Sequence, residues 1–303
     1  MKVVICAILR TENRYLEEWL DYHLSLGFDH IYLCDNAESG EEKAEDVVAN
    51  EVKYQDKVTI FHYYNKPGQQ TKAYTECYKK RELDFDWMAF IDIDEFISFP
   101  DDSEYKTIKE YLSTMKADVI LLNWMVYGDN NYLCDDGRGV LERFLKPMPY
   151  NFSPYSIFLG KAPTNRHVKQ ILYSGLDLEV VSPHIPLLKG NYKVVNADGK
   201  LVDNVSIQKN YTFKTCYIKH FVTKSLEEYV NTKVKRGRKG DGSFGSYSLE
   251  DFFLYNKMTI KNAVQYLKLC KKYNQKPVVS CRWWMRNILR SFFFLFLGGF
   301  HSK

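Results

Sequence analysis

The sequence lacks cysteine pairs, long basic segments and an apolar segment of transmembrane length. Its seven cysteines are scattered and none forms a CxxC pair, which argues against a zinc knuckle or a disulfide framework. Several fall in predicted strands, as buried free cysteines do, which favours a reducing compartment and a cytoplasmic location. The net charge of +4 is mild, and without a basic block we expect no nucleic-acid partner.

The two ends of the chain carry different signals. A strand begins directly after Lys2, so we expect no secretory signal. Near the other end, the apolar run 292–297 is six residues long, far short of the roughly 20 that cross a bilayer. Aromatic residues mixed with Arg286 and Arg290 favour a helix over 282–300 that lies on the cytoplasmic face of a membrane. The alternative is a terminal helix packed on the core.

The first 125 residues alternate between strand and helix patterns. Strands are predicted over 3–9, 31–34, 58–64, 87–93 and 117–124, and helices over 16–24, 41–50, 69–83 and 107–115. Such alternation predicts an α/β fold with a mainly parallel sheet and flanking helices.

The rest of the chain is less regular. Residues 128–215 are rich in Gly, Pro, Asn and Asp, with short strand-like pieces, and helices are predicted over 226–235 and 259–273. We therefore predict a catalytic domain over 1–240, divided into halves 1–125 and 126–240, and a helical region over 241–303. Loops of the second half are expected to shape the substrate site.

An acidic segment is the strongest local signal. Asp92, Asp94 and Glu95 follow the apolar run 87–91, which reads as a buried strand. Alternation along an extended strand would point Asp92 and Asp94 the same way and Glu95 the other way. Ligand sites of open α/β sheets lie at the carboxyl ends of strands, and carboxylates there suit Mg²⁺ or Mn²⁺. A solvated acidic turn is the equal alternative.

An ordered set of motifs spans residues 1–240. It comprises Arg10-x-Glu12, Glu18-Trp19-Leu20-x-Tyr22-His23, Asp35-Asn36, Gln70-x-x-Ala73-Tyr74, Phe90-Ile91-Asp92-x-Asp94-Glu95, Asn123-Trp124-x-x-Tyr127-Gly128, Glu142-Arg143-Phe144 and Lys219-His220-Phe221-x-x-Lys224-Ser225. Together these blocks resemble GT-A-fold glycosyltransferases of the family 2 and family 92 group. The resemblance implies a nucleotide-diphospho-sugar transferase fold, which is Rossmann-like, and a nucleotide-sugar donor.

The resemblance also assigns the acids a role. It makes Asp92-Ile93-Asp94 the DxD motif, which holds Mn²⁺ or Mg²⁺ on the donor diphosphate. A dication stabilises the charge that develops on the leaving nucleoside diphosphate. Asp94 is expected to bind the metal directly, whereas Asp92 is expected to reach the ribose or a metal-bound water.

Four further residues are predicted to bind the donor. Asp35 ends the second strand and is expected to meet the base or ribose, with an Asx turn as the alternative. Arg10 ends the first strand and would meet the uracil or a phosphate, with a surface salt bridge as the alternative. Gln70 and Lys72 open the third helix on the same edge.

The late segment supplies the remaining metal and diphosphate candidates. The resemblance makes His220 the third metal ligand, with His184 as the second choice and a buried hydrogen-bonded histidine as the alternative. Lys224 and Arg236 are expected to neutralise the diphosphate. The basic segment 233–242 would close over the donor, or else is a solvated loop.

Asp129, after the fifth strand, is the candidate general base that deprotonates the acceptor hydroxyl; Glu142 and Asp177 are its rivals. The resemblance implies metal-dependent and inverting transfer of a sugar. The donor is expected to be a UDP-sugar, and the acceptor a glycan or lipid-linked saccharide of a cell-surface polysaccharide.

Two other functions remain open. A sugar nucleotidyltransferase is disfavoured because no glycine-rich, basic phosphate loop follows the first strand. A non-catalytic, membrane-associated glycan-binding protein would not need the intact acid pair and His220.

Overall fold

The computed structural model describes residues 1–49, 51–66, 68–81, 84–148, 164–236, 247–256 and 260–277. Its strands are β1 (Val3–Leu9), β2 (His30–Asp35), β3 (Val58–His62), β4 (Trp87–Phe90), β5 (Glu95–Ser98), β6 (Val119–Val126), β7 (Val168–Tyr173), β8 (Leu178–Val181), β9 (Pro186–Leu188), β10 (Val194–Asn196) and β11 (Tyr217–His220). Its helices are α1 (Asn13–Ser25), α2 (Glu45–Val48), α3 (Gln70–Arg81), α4 (Ile108–Thr114), α5 (Val140–Arg143), α6 (Leu226–Tyr229), α7 (Leu249–Tyr255) and α8 (Ile260–Lys272). A π-helical turn, Val230–Val234, continues α6.

Nine of these strands form one sheet. Its order is β3-β2-β1-β4-β7-β6-β11-β5, and β10 pairs with the first part of β6 beside β11. Strands β3, β2, β1 and β4 are parallel, β7 is antiparallel to both its neighbours, and β5 is antiparallel to β11. The predicted α/β fold class with a mainly parallel sheet and flanking helices is confirmed.

The two faces of the sheet bury separate apolar cores. Along β1, Val3, Ile5, Ala7 and Leu9 lie in one core, and Val4 and Cys6 lie in the other. This alternation follows from the two-residue period of a strand, and burial on both faces explains the unbroken apolar run. The first core also takes up the apolar face of α1, whereas the second takes up α3.

Helix α1 shows how the sequence pattern sets the packing. Leu16, Trp19, Leu20 and His23 are fully buried at helical spacing, as predicted. Burial lowers the pKa of His23 to about 3, so the imidazole stays neutral, and its Nε2 accepts the backbone N–H of Ile97 at 3.3 Å. His23 is therefore a satisfied core residue that joins α1 to β5.

The described cysteines are free. Cys6, Cys34, Cys77, Cys216 and Cys270 are buried, as expected of small apolar side chains in strands and helices, and Cys134 is exposed. Cys281 lies outside the described residues. No described helix has both the length and the apolar character to cross a bilayer.

Helices α7 and α8 pack against α6. Leu226, Tyr229, Phe252, Tyr266 and Leu269 belong to one small apolar cluster. Residues from both sides of the predicted boundary at 240 thus share this cluster, and the boundary itself falls among residues that the structure does not describe. The division into domains stays a prediction, and the predicted interfacial helix over 282–300 also lies outside the described residues.

A buried ion pair fixes the start of α6. Arg143 donates two hydrogen bonds to the carboxylate of Glu228, at 2.8 and 2.7 Å, and Tyr15 donates a third at 2.6 Å. Ser225 caps the helix, and its backbone N–H also reaches Glu228. Burial alone would raise the pKa of Glu228, but Arg143 and the hydrogen bonds from Ser225 and Tyr15 lower it to about 2.

Replacing Glu228 tests this ion pair. Glu228→Gln removes the nearest counter-charge of the buried Arg143 guanidinium and leaves it only Asp135 and Asp136, at 3.5 and 3.6 Å, so we expect the free energy of unfolding at pH 7 to fall by about 3 kcal/mol. Because the pKa of Glu228 is depressed in the folded state, its contribution is complete above the ordinary value of 4.5 and is lost as the pH falls towards about 2. Urea unfolding of both proteins across this range measures the difference.

Glu17→Gln is the matched control, since Glu17 pairs with Lys53 on the surface and its side chain is 60% exposed. It should change stability by less than about 1 kcal/mol. An equal loss in the two variants would contradict the importance of the buried pair.

Candidate functional site

The acidic segment forms a turn rather than an extended strand. Strand β4 ends at Phe90, and the N–H of Glu95 donates to the carbonyl of Asp92 at 3.0 Å. The strand predicted over 87–93 is therefore too long, and the alternation expected for Asp92, Asp94 and Glu95 does not apply. The chain turns here because Glu95 begins β5, which pairs with β11. The acids still lie at the carboxyl end of β4, as predicted.

Asp92 is surrounded by hydrogen-bond donors. Its Oδ1 accepts from Gln70 at 2.6 Å and from the hydroxyl of Tyr74 at 3.1 Å. Its Oδ2 accepts from the ammonium of Lys169 at 2.7 Å. Both oxygens thus have partners within the protein, and the role of Asp92 at the metal stays a prediction.

Lys169 is a buried cation that the sequence analysis missed. It lies on β7 with a side chain only 1% exposed, and its Nζ is also 3.3 Å from Oε2 of Glu95. Burial lowers the pKa of Lys169, but Asp92 and Glu95 outweigh it and raise the value. Burial raises the pKa of Glu95 well above its usual range, against the opposing effect of Lys169. A lysine inside the apolar run 168–173 was the available signal.

Asp94 faces a different set of groups. Its Oδ1 is 3.5 Å from Nε2 of His220, and its Oδ2 is 3.0 Å from Nζ of Lys233. Its carbonyl accepts the N–H of Phe221 at 2.8 Å, so β11 and the acidic turn are tied together. Burial would raise the pKa of Asp94, but Lys233 and His220 hold it well below its usual range. Asp94 is therefore a buried carboxylate ion.

The donor atoms suit a hard divalent cation. One ligand atom from each of Asp94, Glu95 and His220 can be chosen so that all three lie within 4.8 Å of one another. Glu95 Oε1 and His220 Nδ1 are buried and have no hydrogen-bond partner among the described residues. Carboxylate oxygen and imidazole nitrogen are ligands for Mn²⁺, and carboxylate oxygen for Mg²⁺. The structure thus brings together the predicted Asp94 and His220, and it adds Glu95, which was expected to point away.

Three cations, Lys224, Lys233 and Arg236, lie on the Asp94 side of the cluster. Lys224 is buried over the ring of Tyr15, with Nζ 4.5 Å from the ring centroid, and has a φ of 54°, a rare backbone conformation for a lysine. Burial raises the pKa of Glu12, as does Asp94, while Lys224 and Arg236 lower it, so all four groups interact electrostatically. The predicted Lys224 and Arg236 therefore do lie at the acids, and Glu12 joins them.

Arg10 and Asp35 take part in local structure. The guanidinium of Arg10 pairs with Glu41 at 3.0 Å and with Glu38 at 2.9 Å. The fully buried carboxylate of Asp35 accepts the N–H groups of Ala37 at 3.0 Å and Ala44 at 2.6 Å, an Asx-type arrangement. These are the structural alternatives named for the two residues, and their donor-binding roles stay predictions.

The two residues at the start of α3 have different surroundings. Gln70 orients Asp92 through the hydrogen bond described above. Lys72 is 62% exposed and lies 3.9 Å from Glu76, one turn further along the same helix. Gln70 therefore belongs to the acidic cluster, whereas Lys72 lies on the helix surface.

Asp129 lines a separate cavity of about 370 Å³. Its Oδ1 accepts the N–H of Asn131 at 3.0 Å, and its Oδ2 is buried without a hydrogen-bond partner among the described residues. Burial raises the pKa of Asp129. The cavity is also lined by Tyr132, Arg143, Lys146, Tyr255 and Asn256. Of the rival acids, Glu142 is exposed and paired with Arg138, and Asp177 is exposed.

Asn256 joins this cavity to the metal-ligand segment. Its Oδ1 accepts the N–H of Asp129 at 2.5 Å, and its Nδ2 donates to Thr223 at 3.1 Å. Gly128 leaves room for it, because a Cβ there would lie 2.6 Å from Oδ1 of Asn256. No local sequence pattern indicates Asn256, because its partner Asp129 lies more than a hundred positions away in the chain.

The imidazole rings of three histidines pack around Trp124, next to the acids. Its ring centroid lies 4.3 Å from that of His220, 5.1 Å from His167 and 5.3 Å from His184. Burial lowers the pKa of His184 to about 4, and Lys169 adds to the effect. Nδ1 of His184 is 2.9 Å from the carbonyl of Val168. His184, the second choice as ligand, is therefore near the cluster but outside the group formed by Asp94, Glu95 and His220.

Two solved structures are similar to this chain over most of its length, at low TM-scores. One is TarS 1–349 of S. aureus in complex with UDP-GlcNAc, with a TM-score of 0.34, 14% identity, and coverage of 90% of this chain and 80% of that one. Another is GalNAc-T7 with UDP, GalNAc and Mn²⁺, with a TM-score of 0.38, 12% identity, and coverage of 97% of this chain and 57% of that one.

The N-terminal part of the chain is similar in sequence to known proteins. Residues 2–144 match the family described as Glycosyltransferase family 92. A family 92 protein of Oryza sativa subsp. japonica is 29% identical over 96 residues, which are 32% of this chain and 16% of that protein. One of Ricinus communis is 26% identical over 99 residues, 33% of this chain and 17% of that protein. The chain thus matches about a sixth of the length of these relatives. The predicted resemblance to family 92 is confirmed for residues 2–144, the part of the chain that matches the family model.

Proposed function

We propose that this protein transfers a sugar from a nucleotide-sugar donor to a hydroxyl group of an acceptor. The observation that carries the proposal is the group of Asp94, Glu95 and His220 at the carboxyl end of β4. The two acids lie inside the part of the chain that matches family 92. Such a site offers the charge and ligand types that a metal-bound diphosphate requires.

Asp94, Glu95 and His220 would hold Mn²⁺ or Mg²⁺. When bound, the ion supplies Lewis-acid stabilisation of the charge on the leaving diphosphate. Asp92 has a positioning role, because Gln70 and Lys169 hold its two oxygens on the neighbouring side of the turn. Hydrogen-bonded neighbours of this kind hold metal ligands in one arrangement.

The donor diphosphate would lie beside Lys224 and Arg236. Both groups interact electrostatically with Asp94 and Glu12 and are held near the candidate metal ligands. Arg10 and Asp35, at the carboxyl ends of β1 and β2, would define the nucleoside side of the site. Lys72 keeps its predicted donor role only if its exposed side chain leaves Glu76.

Asp129 is proposed as the general base. Asp129 lines a cavity whose walls include Asn130, Asn131 and Lys146, where acceptor hydroxyls can find hydrogen-bond partners, and its buried Oδ2 has no hydrogen-bond partner among the described residues. Burial raises its pKa towards the value of a carboxylate that can take up a proton near neutral pH. We further propose inversion, a UDP-sugar donor, and a glycan or lipid-linked acceptor in cell-surface polysaccharide synthesis.

Nucleotide binding tests the donor class and the metal site together. We expect UDP or a UDP-sugar to bind with Mn²⁺, more tightly than GDP or CDP, and Asp94→Ala to weaken this binding by at least about tenfold. The reason is that Asp94 is the one buried carboxylate ion shared by His220 and Lys233 among the described contacts. Titration calorimetry with and without Mn²⁺ measures the affinities.

Asp102→Asn serves as the matched control, because Asp102 is an exposed carboxylate that follows the acidic turn and β5 in the chain. It should bind like the parent protein. A folded parent protein that binds no nucleotide under any of these conditions would point to the non-catalytic function instead.

Asp129→Asn tests the general base. We expect kcat to fall by about 10² to 10⁴-fold while donor affinity is kept, because only proton removal from the acceptor is lost. In the parent protein the rate should fall on the acid side as Asp129 becomes protonated, with an apparent pKa above the ordinary 3.8. Steady-state kinetics across pH measure both effects. A larger loss in Glu142→Gln than in Asp129→Asn would assign the base to Glu142.

The C-terminal segment is proposed to bind a membrane surface from the cytoplasmic side. The proposal rests on Arg286 and Arg290 among aromatic residues of 282–300. Deletion of 282–303 should move the protein from the membrane to the soluble fraction in cell fractionation. An unchanged distribution, with an unchanged melting temperature, would argue against the proposal, while a lower melting temperature would place the segment in the core.

A further inference from the structure

Lys233 forms an ion pair with one of the candidate metal ligands. Its Nζ lies 3.0 Å from Oδ2 of Asp94, and the side chains of the two residues are 11% and 7% exposed. Burial lowers the pKa of Lys233, but Asp94 outweighs this and raises it, so the side chain is an ammonium ion. In the free protein, Asp94 is therefore neutralised by a group of the protein itself.

The charges around Asp94 are unbalanced in favour of cations. Lys224, Lys233 and Arg236 face the two carboxylates of Glu12 and Asp94. On the other side of the turn, Lys169 pairs with both Asp92 and Glu95. The excess of cations on the Asp94 side attracts an anion such as a diphosphate to that side, and it repels a cation that arrives there alone.

A dication and Lys233 therefore compete for the same carboxylate. Both are attracted by Asp94, and at close range in a buried site they repel each other strongly. Repulsion disappears if Lys233 leaves Asp94 for another anion. The diphosphate of a donor is such an anion, and it would arrive with the metal.

The position of Lys233 in the fold allows this movement. It lies on the π-helical turn Val230–Val234 directly after α6, and π-helical turns are frequent at functional sites. A lysine carries its charge on a flexible four-carbon stem with freely rotating donors. Its Nζ is 5.8 Å from the ring centroid of Tyr247, next to Arg236, so its surroundings include a second cation-binding group.

We propose that Lys233 neutralises Asp94 in the free protein and moves to the donor diphosphate when metal and donor bind together. It thereby makes metal binding depend on the donor, and metal alone binds weakly. This inference rests on the proposed function, since it takes a metal and a nucleoside diphosphate as the ligands of the site. Lys233 is accordingly a positioning residue that couples the two binding events.

Metal affinity without nucleotide is the direct test. Titration of Mn²⁺ into Lys233→Met, followed by electron paramagnetic resonance of free Mn²⁺, should give an affinity at least tenfold higher than that of the parent protein. With UDP present, the parent protein should gain affinity for Mn²⁺ by at least tenfold, and Lys233→Met should gain less. Lys233→Arg keeps the charge and should bind Mn²⁺ as weakly as the parent protein does.

Lys272→Met is the matched control for a change in net charge, because Lys272 pairs with Glu227 on the surface and is 60% exposed. It should leave Mn²⁺ affinity unchanged. An Mn²⁺ affinity of Lys233→Met within twofold of the parent value, while UDP and Mn²⁺ still bind, would overturn the coupling role and leave the proposed function intact. If neither protein binds Mn²⁺ with or without UDP, the proposed function fails and the coupling role with it.

If Lys233→Met does not fold, Mn²⁺ titrations of the parent protein and of Lys233→Arg still test the coupling of metal and donor binding. Equal Mn²⁺ affinities of the parent protein with and without UDP would overturn the proposal.

Discussion

Bringing Asp92, Asp94 and Glu95 together in one turn, with Asp94 and Glu95 buried, is the constraint on which the rest of the site depends. Carboxylates at the end of a central strand repel one another and lose hydration, so each needs a cation or a proton. Lys169 lies between Asp92 and Glu95, and Lys233 lies against Asp94. Burial outweighs Lys169 and raises the pKa of Glu95, whereas Lys233 and His220 outweigh burial and lower the pKa of Asp94.

The groups that balance these acids come from distant parts of the chain. Lys169 lies on the antiparallel strand β7, which is inserted beside β4, and His220 lies on β11, which pairs with β5 directly after the acidic turn. Lys233 is held by α6 and its π-helical turn, and α6 is fixed by the ion pair of Glu228 with Arg143. The part of the chain that matches family 92 thus supplies the acids, and the remainder of the chain supplies their counter-charges.

Local pattern was sufficient for most of the regular elements. Helical spacing of apolar residues predicted α1, and the apolar run 3–9 predicted β1, because burial of one helix face or of both strand faces leaves a direct trace in the sequence. The acidic strand was predicted too long, since the pairing of Glu95 with His220 of β11 begins a new strand there. Asp35 shows the same limit: its backbone partners Ala37 and Ala44 depend on how the following loop folds back.

The sequence by itself determined the α/β class, the family 92 resemblance and the position of the acids at the end of a central strand. It also pointed to His220, Lys224 and Arg236, because they stand in a recognisable motif order. Only the tertiary structure decided that Glu95 joins Asp94 and His220, that Lys169 and Lys233 neutralise the acids, and that Asn256 holds Asp129. These contacts join residues separated by dozens to more than a hundred positions, and pairing at such a distance depends on sheet order, which no local pattern contains.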